Sequence, residues 1–284
     1  MSNISLTASM RSNLLSLQET SKLMSQTQER LASGKKVNSA IDNPSSFYTA
    51  QSLNNRASDL SALLDSMGQA ISTIKAADEG ITAITSFVEQ AKAIASSALD
   101  TTDKASRAKY MEQFNAIRGQ IDALAKDAGY KGINLLKGDT LTVTFNEGRD
   151  NQLSIAGVDA TTGAGGLNVA AATAWATAAG DVPTADEIAA QNTAISASIT
   201  AANGAISKLR TYASEFGNNY SIVQTREEFT TNLINVLEEG ADKLTLADMN
   251  EESANMLALQ TRQQLAINSL SLASQAAQSV LRLF

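Results

Sequence analysis

Neither cysteine nor histidine occurs anywhere in the 284 residues. The first absence removes disulfides, thiolate nucleophiles and the common zinc sites together. The second removes the usual general base and the most frequent metal ligand. Carboxylates, hydroxyls and lysines remain, and they form no cluster with a catalytic pattern, so neither an enzymatic activity nor a cofactor is expected. The glycines at Gly163, Gly165 and Gly166 are not followed by a GK[ST] helix, which argues against a phosphate-binding loop. Basic residues are outnumbered, 22 against 29 acidic ones, for a net charge of −7. That balance speaks against a nucleic-acid partner, because phosphate neutralisation needs clustered Lys and Arg. The basic doublet Lys35-Lys36 reads as a solvated helix end. No apolar run approaches the roughly 20 residues of a membrane span, so no membrane insertion is expected. Residues Met1–Leu6 lack a charged n-region followed by an apolar h-region, so export would use a route other than a cleaved signal.

Proline is nearly missing too, with two residues, and aromatics make up 5%. Ala, Ser, Gln and Thr are abundant instead, which suits long helices. Apolar residues recur every seventh position at Leu53, Leu60, Met67, Ile74, Ile81 and Val88, and again at Ile188, Ile195, Ala202, Leu209, Phe216 and Val223. A second seam runs through Ile199, Ile206, Ala213, Tyr220 and Ile234. Heptads sustained over this length mean rods packed along a partner. The fold class expected is mainly α: long antiparallel coiled-coil-like rods, paired terminal helices, and a small β-hairpin and loop region in the middle.

The boundaries can be placed from local signals. A first helix should run from Ile4 to Ser33, with Gly34 as its stop and a thin stripe at Leu14, Leu17, Met24 and Leu31. Asn43-Pro44 offers an N-cap and a first-turn proline for a rod reaching Leu99, about 80 Å long at roughly 1.5 Å per residue. Gly80 interrupts propensity but not phase, so this rod should be continuous. A third helix carries Tyr110, Phe114, Ile117, Ile121 and Leu124. The alternation of Leu141, Val143 and Phe145, then Leu153 and Ile155, predicts a hairpin turning through Gly148. Residues 159–180, with the lone Trp175, read as surface loop with little core of their own. Thr184 and Glu187 form a capping box that opens the longest helix, expected to end at Glu239 before Gly240. A last helix should run from near Thr245 to Phe284, with Met249, Met256, Leu270 and Phe284 in one heptad track and Leu259, Ala266, Ala273 and Val280 in the other. Between Arg262 and Arg282 it carries no charge, yet it is too polar for a membrane. Such sparse stripes should order fully only on assembly.

Two segments resemble a known family. Arg30-Leu-Ala-Ser-Gly-Lys-Lys-Val-Asn-Ser-Ala-Ile-Asp-Asn-Pro44 is similar to the N-terminal signature of bacterial flagellin, and the run from Leu265 to Phe284 is similar to its C-terminal signature. The resemblance covers about residues 1–140 and 185–284, and the chain is similar to the short flagellins of alpha-proteobacteria. It implies a structural subunit that polymerises into the flagellar filament for swimming motility, exported unfolded through the flagellar type III channel and located outside the cell. Its implied partners are further copies of itself, alone or mixed with other flagellins, together with an export chaperone, the filament cap and the hook-junction proteins.

On that reading the chain divides into an inner-core helix and linker (1–43), N-terminal rod helices (44–139), a short outward-facing hairpin and loop region (140–184), a C-terminal rod helix (185–240) and a second inner-core helix (241–284). Polymerisation and inner-core packing would fall to Leu14, Leu17, Met24, Leu31, Met256, Leu259, Leu270, Ala273, Val280, Leu281 and Phe284. Rod packing would fall to Leu53, Leu60, Met67, Ile74, Ile81, Val88, Ile195, Ile199, Ile206, Leu209, Phe216 and Val223. A hook–filament junction protein and a secreted coiled-coil adhesin are the alternatives; self-polymerisation separates the first, and the paired terminal signatures argue against the second.

Overall fold

A computed structural model describes residues 8–177 and 183–281. Five helices and one hairpin follow in the order α1 (Ala8–Ser33), α2 (Pro44–Leu99), α3 (Lys104–Asp127), β1 (Leu141–Thr144), β2 (Gln152–Ile155), α4 (Ala185–Thr245) and α5 (Met249–Leu281). The chain is therefore mainly α with a two-stranded antiparallel sheet. Two compact units result, one from residues 1–57 with 235–284 and the other from 58–234.

Helix starts follow their caps. The Asn43 side chain accepts from the Ser46 N–H at 3.1 Å, one position before Pro44 opens α2. Asp103 accepts from the Ser106 N–H at 2.7 Å and opens α3. Hydrogen bonds from the Ser106 side chain and backbone hold its carboxyl below the ordinary aspartate range. Thr184 and Glu187 form the reciprocal box, with Thr184 N–H donating to Glu187 at 2.7 Å and Glu187 N–H donating to Thr184 at 3.3 Å.

In the 58–234 unit, α2 and α4 run antiparallel. Lys75 lies over the Tyr220 ring at 5.5 Å, and Ile74 and Phe216 line the same recess. Matching heptads then place Ile81 level with Leu209 and Val88 level with Ala202. Leu60, Met67, Ile74, Ile81 and Val88 are buried, as are Ile195, Ala202, Ile206, Leu209, Phe216 and Val223, while Ile199 is half-buried. The α4 track continues in phase through Thr230. A second α2 track, Ala70, Ala77, Ile84, Ala91 and Ala98, is buried as well and shares one core with Phe114 and Ile121 of α3. Two neighbours explain why this helix is apolar over so wide an arc.

Gly80 marks where that packing is tightest. A Cβ there would lie 2.6 Å from Leu136 Cδ1 and 3.0 Å from Ala128 Cβ, and Leu136 is itself fully buried. Gly217 has nothing within 4 Å of the same position. Gly80→Ala should therefore destabilise the monomer by about 1–3 kcal/mol through overpacking. Gly217→Ala should stabilise it by about 0.5–1 kcal/mol through helix propensity. Urea denaturation of the two variants checks this, and equal shifts in midpoint would refute the assignment.

The hairpin pairs Leu141 with Ile155 and Val143 with Leu153, burying Leu141, Val143 and Ile155 on one side. The segment after it departs from expectation. Residues 159–177 are not a coreless loop: Ala160, Thr162, Leu167, Val169, Ala172 and Trp175 are buried. The Trp175 ring meets Phe114 at 4.9 Å between centroids. Polar groups on one face of α3 hold the segment down. Asn115 both donates to Ala172 O at 2.8 Å and accepts from its N–H at 2.9 Å, Arg118 donates to Val169 O at 2.9 Å, and Asp122 accepts from the Thr162 N–H at 2.7 Å. Irregular backbone is buried here because side chains satisfy its polar groups.

Two helix ends also move. α4 passes through Gly240 and ends at Thr245, because Leu237 and Ala241 extend its buried face and the Thr245 carbonyl accepts from Lys36 N–H at 2.8 Å. α5 starts at Met249, capped by Asp248, which accepts from Asn250 N–H at 2.9 Å. The Ile4 start of the first helix and Phe284 at the end of the last lie outside the described residues.

Candidate functional site: the paired terminal helices

The chemistry of this chain is that of surfaces, and the unit built from both termini carries the most exposed one. α1 and α5 run antiparallel, with Asn13 donating to Ser269 at 3.4 Å at one level and Arg30 donating to Glu252 at 2.9 Å at another. Their backbones approach closely, with Cα atoms of the two helices within 8 Å. Small side chains at the seam permit this. Thr20 and Thr27 are buried there, and the Thr20 hydroxyl satisfies itself on Ser16 O at 2.8 Å within its own helix.

The expected stripe residues fall as follows. Leu17, Met24 and Leu31 on α1 are half-buried, as are Met256, Leu270 and Ala273 on α5, and Leu259 is buried. Leu53, on the part of α2 that belongs to this unit, is half-buried and its Cδ1 lies 3.5 Å from where Gly240 would carry a Cβ. Leu14 and, in the first turn of α5, Met249 lie toward the outside of the seam and are 39% and 45% exposed. At 100° per residue, Leu14 lies about 120° from Thr20. Asn13, one position earlier, takes the seam position and spends it on a hydrogen bond to Ser269. The side chains of Val280 and Leu281 lie outside the description, like Phe284.

Glu252 and Thr27 were not legible as seam residues, because a charge and a hydroxyl carry no apolar signal. Glu252 is buried with one carboxylate oxygen on Arg30, and its Oε2 has no hydrogen-bond partner among the described residues. Glu252 lines a recess between α1 and α5 together with Gln26, Asn255 and Arg262.

The outward side of α5 is the other feature missed. Leu257, Leu265 and Leu272 are 67%, 63% and 67% exposed. Steps of eight and seven residues keep them on one face, opposite Leu259 and the α1 seam. Leu15 and Leu23 of α1 are exposed as well. One helix thus offers two apolar faces, and a single chain covers only one of them. An exposed apolar surface of this kind marks a protein–protein contact. Among the described residues, no group of three or more acidic side chains could hold a metal, and no helix is long and apolar enough to cross a membrane.

Residues 4–140 match the bacterial flagellin N-terminal helical region, and residues 199–284 match the bacterial flagellin C-terminal helical region. The chain belongs to the bacterial flagellin family. It is 31% identical over 272 residues to flagellin FljM of Caulobacter vibrioides, covering 95% of this chain and 94% of that one. To a flagellin of Brucella melitensis it is 29% identical over 286 residues, covering 100% and 99%. To flagellin A of Rhizobium meliloti it is 25% identical over 384 residues, covering 95% and 96%. Membership gives the function in outline: this flagellin is a structural subunit of the filament, and the two-faced α5 is what a self-polymerising chain requires.

Proposed function

We propose that the α1–α5 pair carries polymerisation, with the seam residues from Leu17 to Leu31 and Met256 to Ala273 fixing the pair and Leu257, Leu265 and Leu272 meeting neighbouring subunits. The observation that supports this is the uncovered apolar face of α5. Val280, Leu281 and Phe284 are assigned to polymerisation on the same reading. The rods, 44–139 and 185–240, form the next layer, and 140–184 faces outward. The protein acts outside the cell without cofactor or catalytic step. It is delivered by the flagellar type III route with an export chaperone, and it meets the filament cap and the hook-junction proteins at the two ends of the polymer. Other flagellins of the same cell would be compatible neighbours.

Seeded assembly of the purified chain tests the core of this. Negative-stain microscopy should show long filaments, and far-UV circular dichroism should rise in helical signal as they grow. Persistent monomers in the presence of native seeds would overturn it.

A further inference from the structure

Ile41 is 93% exposed, the most exposed large apolar side chain among the described residues. It is not on a loose loop. Asp42 Oδ2 accepts from the N–H groups of Asn38 and Ser39, each at 3.0 Å, and from the Ser39 hydroxyl at 3.2 Å. The Ile41 N–H in turn donates to Ser39 Oγ at 3.3 Å, and the Asp42 N–H to Ser39 O at 3.2 Å. The turn is anchored at its base, where Val37 is buried and its N–H reaches Thr245 O. The Ser39 and Asn38 N–H groups hold the Asp42 carboxyl below its ordinary range, so the tip carries a fixed negative charge beside a fixed aliphatic knob. A chain that orders five backbone and side-chain groups to display an isoleucine in water has gained nothing from it within one molecule.

The same unit offers a matching recess on the outward side of α5. It is shallow and lies on one helix face, lined by Ala254, Leu257, Ala258, Thr261 and Leu265 with Arg262 among them. From Arg262 to Arg282 the helix carries no other charge. The two features complement each other in polarity and in sign: an exposed β-branched side chain with a carboxylate beside it, and a shallow apolar trough along α5 with a guanidinium beside it. Ile41 of the same chain does not fill the trough, since it touches almost nothing.

We infer that the Ile41 turn of one subunit seats in the α5 recess of another, with Asp42 facing Arg262. This rests on the self-assembly reading and specifies one of its contacts. Preorganisation makes the contact effective, because little freedom is lost when a turn already fixed by hydrogen bonds is docked.

The absence of cysteine makes a direct test available. Ile41→Cys and Thr261→Cys are prepared separately, mixed with an excess of unsubstituted chain, grown from seeds and oxidised in the filament. A disulfide needs Cα atoms within about 7 Å, so a cross-linked dimer of the two variants is expected only if the knob lies in the trough. Ile41→Cys paired with Glu228→Cys, an exposed position on α4, is the background control. Filaments with no more dimer than this control overturn the contact and leave self-assembly standing. If the unsubstituted chain does not polymerise at all, self-assembly falls and takes the contact with it. As an independent readout, Ile41→Ser should raise the critical concentration about tenfold to a hundredfold without changing the monomer's circular dichroism. An unchanged critical concentration would also refute the contact.

Discussion

Arg107→Ala unfolds the 58–234 unit at markedly lower urea concentration, with an expected loss of about 3–5 kcal/mol. Arg107 is fully buried, yet the oxygens that its guanidinium meets are neutral ones. Its guanidinium donates to Thr101 O at 2.6 Å, to Gln191 Oε1 at 2.7 Å and to Asn192 Oδ1 at 2.5 Å. Burial pushes its pKa down, but an arginine so lowered still keeps its proton. One side chain of α3 therefore ties the α2–α3 connection to the first turns of α4. Truncation leaves three acceptors without a donor, each costing about 1–3 kcal/mol if water cannot reach it, and opens a cavity as well. The sum exceeds the expected loss because local relaxation recovers part of it.

Arg107→Met separates the two contributions, since it restores volume and no donors. It should recover less than half of the loss. Arg107→Lys should fall between, because an ammonium at one point cannot reach a fork of three acceptors. Trp175 is the chain's single tryptophan and is buried in this unit, so its emission follows the transition directly. An Arg107→Ala midpoint equal to that of the unsubstituted chain would show that the network is replaceable.

Arg107 also illustrates what the sequence concealed. A heptad exposes itself, because the residues at Met67, Ile74 and Ile81 must be apolar at one spacing wherever two long helices meet. The rods and the continuity of α2 across Gly80 were legible for that reason, the hairpin from its period-two alternation, and the helix starts from Asn43 and the Thr184–Glu187 box. An arginine at the start of α3 looks like any solvated helix residue until the helices flanking it are known. The same holds for Asn115, Arg118 and Asp122. Their spacing puts them on one face, but only the chain that returns over that face explains why it is polar. The segment 159–177 then lacks periodicity because its burial is achieved residue by residue, through Leu167, Val169 and Trp175, and not along a repeating stripe.

The passage of α4 through Gly240 has a similar origin. Glycine is a stop signal where the following carbonyls need a local solution, and here they find it in the loop after α1. At the termini the partial exposure of Leu14 has a different cause. The seam is narrow and built from Thr20, Thr27 and Ala273, and large apolar residues are left over for the outside. Hydrophobicity marks both faces of such a helix and cannot say which is buried within the chain.

Leu270→Glu is expected to abolish filament growth at concentrations where the unsubstituted chain polymerises fully, while the Trp175 unfolding midpoint stays where it was. Leu270 is half-buried on the α1 side of α5, so an unpaired carboxylate there must either disrupt the seam or remain desolvated within it. A cost of about 3–4 kcal/mol per added subunit corresponds to a rise in critical concentration of roughly two to three orders of magnitude. Helical growth repeats the same contact at every step, so no subunit escapes it. Leu270→Met keeps volume and polarity and should polymerise normally, which separates the charge from mere substitution. Removing the last turns through Leu281 and Phe284 should act like the glutamate if α5 works as one continuous surface. Should Leu270→Glu grow filaments at the normal concentration, the α1–α5 pair would not be the polymerising element, and attention would move to the exposed Ile222 and Phe229 on α4.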